Sequence, residues 1–285
     1  MSIVVTGATG HLGRLAVEGL VAAGVHPSTV VAAGRNPERL ATLASRLGVS
    51  TAVIDYSDPS TLEVAFTGAE TLLFVSGSEV GQRVAQHAAV IDAAKATGVG
   101  RVVYTSAPHA DTSELVVNPE HKVTEELLRG SGLMWTILRN NWYTENYAGT
   151  LQQARATGEV VTSTGDGRVA SATRADYAAG AVAAVLGEAH EGKVYELSGD
   201  VAWSFDEFAA AASEVLGVPV VHRNVTGDEQ LVILRAAGLD EGTAGFVVAL
   251  DQSIARGDLA DATADLRTLL GRPTTTLADG LRTLL

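Results

Sequence analysis

Three glycines at intervals of three, Gly7, Gly10 and Gly13, stand in the stretch SIVVTGATGHLGRL, after an apolar run at residues 3–6 and before a helical pattern. Such spacing serves anion capture by the main chain. Gly7 lets the chain turn off a strand, Gly10 lets amide groups approach a pyrophosphate, and Gly13 lets the next helix pack closely on a sheet. The helix start then offers unpaired N–H groups and the positive end of its dipole to the phosphates. A glycine triplet by itself also fits a tight turn with no ligand. Set between a strand and a helix of a βαβ unit, it points to a dinucleotide.

The choice of dinucleotide falls about twenty residues on, where an NAD site carries an acidic residue for the ribose 2'-hydroxyl. Here the chain reads Gly34-Arg35-Asn36-Pro37. A guanidinium has no acceptor for that hydroxyl but binds a 2'-phosphate through charge-assisted hydrogen bonds of about 1.5 to 3 kcal/mol each. NADPH is therefore the expected cofactor, the alternative being a solvated surface charge at Arg35. Asp55, at the end of the third apolar run, either receives the adenine amino group or caps the next turn.

Other chemistry finds little footing. The chain has no cysteine, which removes disulfides, thiolate metal sites and cysteine nucleophiles. His11, His26, His87, His109, His190 and His222 show no metal-binding spacing, so no metal is expected. No G-x-S-x-G elbow follows a strand; Gly77-Ser78-Glu79-Val80-Gly81 reads instead as a loop over a cofactor. A net charge of -13 repels nucleic-acid phosphates and anionic lipid, so neither is expected as a partner. An immediate first strand leaves no room for a signal peptide, and no apolar stretch reaches the roughly 20 residues of a membrane span. The expected address is cytoplasmic.

The elements that must hold these residues alternate. Apolar runs at residues 3–6, 30–33, 51–54, 71–75, 102–105 and 135–138 are hydrophobic on both faces, as buried parallel strands require. Helical patterns at 14–23, 37–47, 82–97 and 121–129 lie between them. The expected fold class is α/β, a Rossmann-type doubly wound parallel sheet with a smaller C-terminal α/β substrate subdomain. The division is expected at 1–150 and 151–285, with some later segments returning to the first part. Within the annex, Ser204 is placed to cap an Ala-rich helix, and Gly271-Arg272-Pro273 marks a break.

The segments TGATGHLG, GRNP, LLFVSGSEVGQR, YTSAPHADTS, LRNNWYTENY and GDGRVASATRADYA, in this order, resemble the NmrA-like atypical short-chain dehydrogenase/reductases. Within that group they are most similar to the bacterial type 2 NADPH-dependent quinone oxidoreductases, with triphenylmethane-dye reductases somewhat further off. The resemblance extends over nearly the whole chain and implies hydride transfer from NADPH to a quinone or similar conjugated acceptor. Carried over, it puts Gly7, Ala8, Thr9, Gly10, His11 and Leu12 around the pyrophosphate, Arg35 on the 2'-phosphate, and Val75, Ser76 and Gly77 at the ribose. Arg139, Asn140, Asn141, Trp142 and Tyr143 would lie beside nicotinamide and substrate, with residues 170–174, ending at Arg174, lining the same cleft. A homodimer is a possible assembly.

The chain departs from the typical family pattern at the proton donor. Ser106 keeps the serine position after the fifth strand, but the Tyr-x-x-x-Lys pair is missing; the next helix reads His121-Lys122-Val123-Thr124-Glu125. His121 and Glu125, four apart, share one helix face, so the carboxylate either orients a catalytic imidazole or is an exposed partner of a helix-start histidine. Lys122 points about 100° away and is expected in solvent. Tyr104, inside the fifth strand, reads as core. Asn140, Asn141 and Tyr143 offer donors to an acceptor oxygen and Trp142 a ring to stack on it, with His121, Asn141 and Tyr143 the candidate catalytic residues. Two other functions remain open: an NADP(H)-sensing protein without turnover, and a reductase of triphenylmethane-type dyes.

Overall fold

A computed structural model of the chain describes residues 2–285. The apolar runs form strands. β1 (Ile3–Val5) and β4 (Thr71–Phe74) are buried along their whole length and β2 (Val30–Gly34) nearly so, whereas β3 (Ser50–Val53), at the sheet edge, is mostly exposed. β5 (Arg101–Ser106), β6 (Met134–Asn140) and β9 (Lys193–Leu197) complete a seven-stranded sheet in the order β3-β2-β1-β4-β5-β6-β9. Every adjacent pair from β3 to β6 runs parallel.

The intervening helices are α1 (His11–Ala22), α2 (Pro37–Leu47), α3 (Pro59–Phe66), α4 (Arg83–Ala96) and α5 (Asn118–Gly130). Local chemistry sets their ends. Asn36 accepts from the Arg39 amide at 2.9 Å and Pro37 opens α2, which Gly48 closes at φ 72°. Asp58 and Pro59 do the same at the start of α3.

Strand order runs outward from β1 in one direction and from β4 in the other. Right-handed crossovers therefore put α1 and α2 on one face and α4 and α5 on the opposite one. α7 (Arg174–Leu186) packs on α1, with Gly19 leaving room for Val182, while α3, α4 and α5 pack side by side. Phe66, Leu72, Phe74 and Tyr104, all fully buried, fill the layer under α3 and α4. This is the doubly wound fold expected from the alternating pattern, and its reversal between β1 and β4 is where such sheets hold ligands.

The chain divides into two compact units. The first comprises the chain up to Asp111, Val117–Asn140 and Arg174–Glu196; the second comprises Thr112–Val116, Asn141–Thr173 and Leu197–Leu285. The chain thus leaves the first unit at Asn141 rather than near 150, and it returns for α7 and most of β9. α7 shows no clean amphipathic stripe in sequence because it is buried nearly all round, Asp176, Tyr177, Gly180 and Ala181 included.

The second unit contains α6 (Ala148–Thr157), β7 (Glu159–Thr162) paired parallel with β11 (Val221–Asn224), and β8 (Arg168–Val169) antiparallel to β10 (Trp203–Ser204). α8 (Phe205–Leu216) begins in a capping box of Ser204 and Glu207, as the Ser204 cap required. α9 (Gly227–Ala236), α10 (Glu241–Ala255), α11 (Asp265–Leu270) and α12 (Leu277–Arg282) follow, α11 ending at Gly271. Tyr147, Trp203, Phe205 and Phe208 pack ring against ring, and the Trp203 indole donates to Ser171 Oγ at 3.0 Å. No described helix is long and apolar enough to cross a membrane.

The glycine turn can be tested directly. A Cβ on Gly13 would sit 2.4 Å from the Gly7 carbonyl oxygen, a backbone atom that cannot swing away. Gly13→Ala should cost about 1 to 3 kcal/mol through overpacking, read as a lower urea midpoint at unchanged m-value.

Candidate functional site

At the carboxyl end of β1 the chain turns sharply. Gly7 adopts φ 62°, the Ala8 amide donates to Ala33 O of β2 at 2.9 Å, and the Gly10 amide returns to Gly7 O at 2.9 Å. Gly10 is the N-cap of α1 and provides no side-chain acceptor. The first helical bond is Arg14 N to Gly10 O, so the amides of His11, Leu12 and Gly13 have no carbonyl within the helix. Ala8 and Leu12 are buried, Thr9 is half-buried and His11 is exposed. A Cβ on Gly10 would press on Gly7 O at 3.2 Å, and one on Gly34 would meet the Thr9 side chain at 2.8 Å. The loop is a cradle of forward-pointing amides that side chains would fill, and a pyrophosphate fits it.

Arg35 follows β2 immediately and is largely exposed. Its Nη1 is paired with Glu79 Oε1, and the other Glu79 oxygen accepts from Gln86 Nε2 at 2.9 Å. Both bonds hold the Glu79 carboxyl below its usual range. A second cation, absent from the sequence-based set, reaches the glycine turn: Arg39 donates to the Thr9 carbonyl at 3.1 Å. The exposed Asp55 carboxylate accepts from the Ser57 amide at 2.8 Å through Oδ1.

Val75, Ser76 and Gly77, at the end of β4, have their amides turned inward. Thr6 Oγ1 accepts from Val75 N, Thr105 Oγ1 from Ser76 N, and His87 Nε2 from Gly77 N, all within 3.0 Å. His87 is thereby a neutral Nδ1–H tautomer donating to Thr124 Oγ1 at 2.9 Å. Burial, with the nearby His121 and Arg83, pushes its pKa down to about 2.

The structure redraws the residues expected around the proton donor. Ser106 Oγ donates to Glu125 Oε1 at 2.7 Å. Arg139 grips the same carboxylate with two bonds, Nε to Oε1 at 2.9 Å and Nη2 to Oε2 at 2.6 Å. Its remaining nitrogen, Nη1, reaches Asp111 and Glu196, both at 2.8 Å. Thus Glu125 does not orient His121 and is not exposed; it is buried as the anionic centre of an ion-pair network. The Arg139 guanidinium, expected beside a nicotinamide, is likewise buried and held by three carboxylates, which raise its pKa against the pull of burial. His121 shares a 2.8 Å hydrogen bond between Nδ1 and the Tyr104 hydroxyl. Burial, then the charge of Arg83, lowers its pKa to about 3, so the ring is neutral. Lys122 is exposed and Tyr104 fully buried, each as expected.

In the second unit the Asn141 side chain is bound at both ends. Nδ2 donates to Leu259 O at 3.3 Å, and Oδ1 accepts from Trp142 N at 2.6 Å. Tyr143 forms a parallel bridge to Ala172, with Ala172 N bonded to Trp142 O and Thr144 N to Ala172 O. Two segments far apart in sequence, around Trp142 and around Ala172, are therefore adjacent. Asn140 ends β6, and Arg174 opens α7.

Two outcomes follow. Below pH about 6.5 the unfolded chain protonates both histidines, whereas the fold resists doing so until about pH 3 at His121 and about pH 2 at His87. Stability should thus fall on acidification by up to about 1.4 kcal/mol per pH unit for each ring, read as urea unfolding free energy between pH 7 and pH 5, with a shallower slope in His87→Gln. Arg139→Met should cost about 3 to 5 kcal/mol, because Glu125 keeps a buried charge without its partner.

The sequence of residues 7–188 matches the profile of the family described as NAD(P)H-binding. Quinone oxidoreductase 2 of Escherichia coli (strain K12) is 44% identical over 279 residues, 98% of this chain and 97% of that one. The crystal structure of the E. coli NADPH-dependent quinone oxidoreductase complexed with NADPH superposes with a TM-score of 0.94 at 43% identity over 99% of both chains. Citrobacter sp. triphenylmethane reductase complexed with NADP(H) gives a TM-score of 0.94 at 36% identity over 100% of each chain. The resemblance read from the ordered motifs holds, and the glycine cradle at the switch point is where the matched profile begins: the chain belongs to the NAD(P)H-binding family.

Proposed function

We propose that the chain is an NADPH-dependent oxidoreductase acting on a quinone or a similarly conjugated acceptor, in the cytoplasm. The observation that carries this reading is the pairing of the side-chain-free cradle, Gly7 to Gly13, with the Arg35 guanidinium one strand away. The acceptor class is supported by the likeness to quinone oxidoreductase 2. NADPH, when bound, supplies the hydride.

The chain's own residues bind, orient and hold charge. Amides of His11, Leu12 and Gly13, with the α1 dipole, hold the pyrophosphate, and Arg35 and Arg39 face the 2'-phosphate. Val75, Ser76 and Gly77 form a rigid rest for the ribose, since inward hydrogen bonds fix their backbone. In the second unit, Asn141, Trp142 and Tyr143 are assigned to the acceptor. The rigid Asn141–Trp142 turn and the Tyr143–Ala172 bridge suit a wall that orients a planar ring.

Neither Ser106 nor His121 is set up as a general acid. The Ser106 proton is committed to Glu125, and His121 is buried and neutral with its Nδ1 on Tyr104. Reduction of a quinone tolerates this, because the hydroquinone anion is delocalised and takes its proton from water. Catalysis is then mainly the holding of two rings in reacting geometry. A dye-reductase reading has one specific support, the fold match to triphenylmethane reductase.

NADPH oxidation with a benzoquinone, compared with a protein-free control and with a triphenylmethane dye as second acceptor, tests the assignment. Acceleration by the quinone is expected. Cofactor binding without turnover on any acceptor would favour an NADP(H) sensor. Arg35→Ala should weaken NADPH binding about tenfold to a hundredfold and leave NADH nearly unchanged, measured by titration of both cofactors; equal losses would refute the role of Arg35.

A further inference from the structure

Arg35 stands just past the end of β2 and Glu79 in the connection between β4 and α4. Because β1 lies between β2 and β4, the Arg35–Glu79 ion pair runs across the carboxyl end of β1, over the strand that feeds the phosphate cradle. The base of this connection is fixed. Arg83, buried, donates to Gly77 O at 2.9 Å and to Glu120 at 3.0 Å, while Glu120 also accepts from the Gly81 amide at 2.9 Å. Glu79 sits between these anchors, 41% exposed, with Gln86 holding its second oxygen and Arg35 its first. Arg39 cannot substitute for Glu79, being a cation itself and already directed to Thr9 O.

We infer that Glu79 is a displaceable internal counter-ion of Arg35, occupying the guanidinium that a 2'-phosphate needs and thereby setting the preference of the site between NADPH and NADH. This rests on the reading of Arg35 as the 2'-phosphate ligand. Glu79 takes Nη1, one donor of the fork, and a 2'-phosphate that grips the fork with two bonds needs the same nitrogen, so the two anions compete for it. A 2'-phosphate that takes the full fork displaces Glu79 from Nη1, favoured by its stronger charge. A nucleotide lacking that phosphate leaves the pair intact. Glu79 therefore lowers affinity only for phosphorylated ligands, and its release frees the tip of the 76–81 connection when one binds. An exposed carboxylate–guanidinium pair couples weakly, which limits the effect to about two- to fivefold in affinity.

Calorimetric titration of the full chain with NADPH, NADH and 2',5'-ADP tests this in wild type, Glu79→Gln, Arg35→Ala and the double variant. Glu79→Gln should tighten NADPH and 2',5'-ADP about two- to fivefold, with NADH unchanged. In the Arg35→Ala background the same substitution should have no effect, since there is no guanidinium to compete for. Unchanged or weaker 2',5'-ADP binding in Glu79→Gln would overturn the inference. So would tightening that persists without Arg35, because that is plain repulsion. Wild-type protein that binds neither dinucleotide refutes the proposed function itself, an outcome distinct from a Glu79→Gln variant that binds NADPH as the wild type does. Glu79 is exposed, and thermal unfolding confirms that each variant is folded before titration.

Discussion

The contact on which the rest is built is one made by missing atoms. Where β1 gives way to α1, Gly13 lies so close to the Gly7 carbonyl that a Cβ would overlap it at 2.4 Å. That approach brings the start of α1 against the strand end, with the amides of His11, Leu12 and Gly13 free of intrahelical partners. Neighbouring elements make similar concessions: Gly34 leaves room for Thr9, and Gly7 supplies the left-handed turn. Any anion held there is held by main chain, so the site is as rigid as the sheet beneath it.

A second constraint shapes the neighbouring strands. Behind β5 and β6 a typical family member would keep a hydroxyl and an acid ready for the substrate. Here Ser106, Glu125, Arg139, Asp111 and Glu196 satisfy one another instead. A buried guanidinium with three carboxylates and a buried carboxylate with a bidentate partner are stable only when complete, so this network fixes geometry. The two neutral histidines nearby, His87 and His121, complete the same picture: each ring serves as a hydrogen-bonding spacer, His87 between Gly77 and Thr124, His121 against Tyr104. A chain arranged in this way suits acceptors that need little acid.

Charge at the cofactor end is arranged more loosely. Arg35 and Glu79 meet in solvent, while Arg83 and Glu120 are anchored a few residues away. An exposed pair exchanges partners readily and a buried one does not. The exposed Glu79 and the anchored Arg83 are separated by only three residues, at the start of α4.

Much of this was readable from the order of residue types. Apolar runs with no polar face dictate buried parallel strands, their alternation with helices dictates a doubly wound sheet, and Gly7-x-x-Gly10-x-x-Gly13 marks the turn, because only glycine tolerates such backbone proximity. The cap at Ser204 was legible too, since a cap is satisfied within three residues. Partner choice at long range was not. The i,i+4 spacing of His121 and Glu125 suggested a pair, yet Arg139 and Ser106 took the carboxylate and Tyr104 the imidazole, because desolvation makes each buried group seek its strongest available partner. A return of later segments to the first part was expected, but which helix returns was not legible, as α7 is buried on nearly all sides and shows no stripe. Local backbone rules thus settled the elements and the cradle, whereas the identity of each charge's counter-charge was decided only when strands distant in sequence were packed together and water was removed from between them.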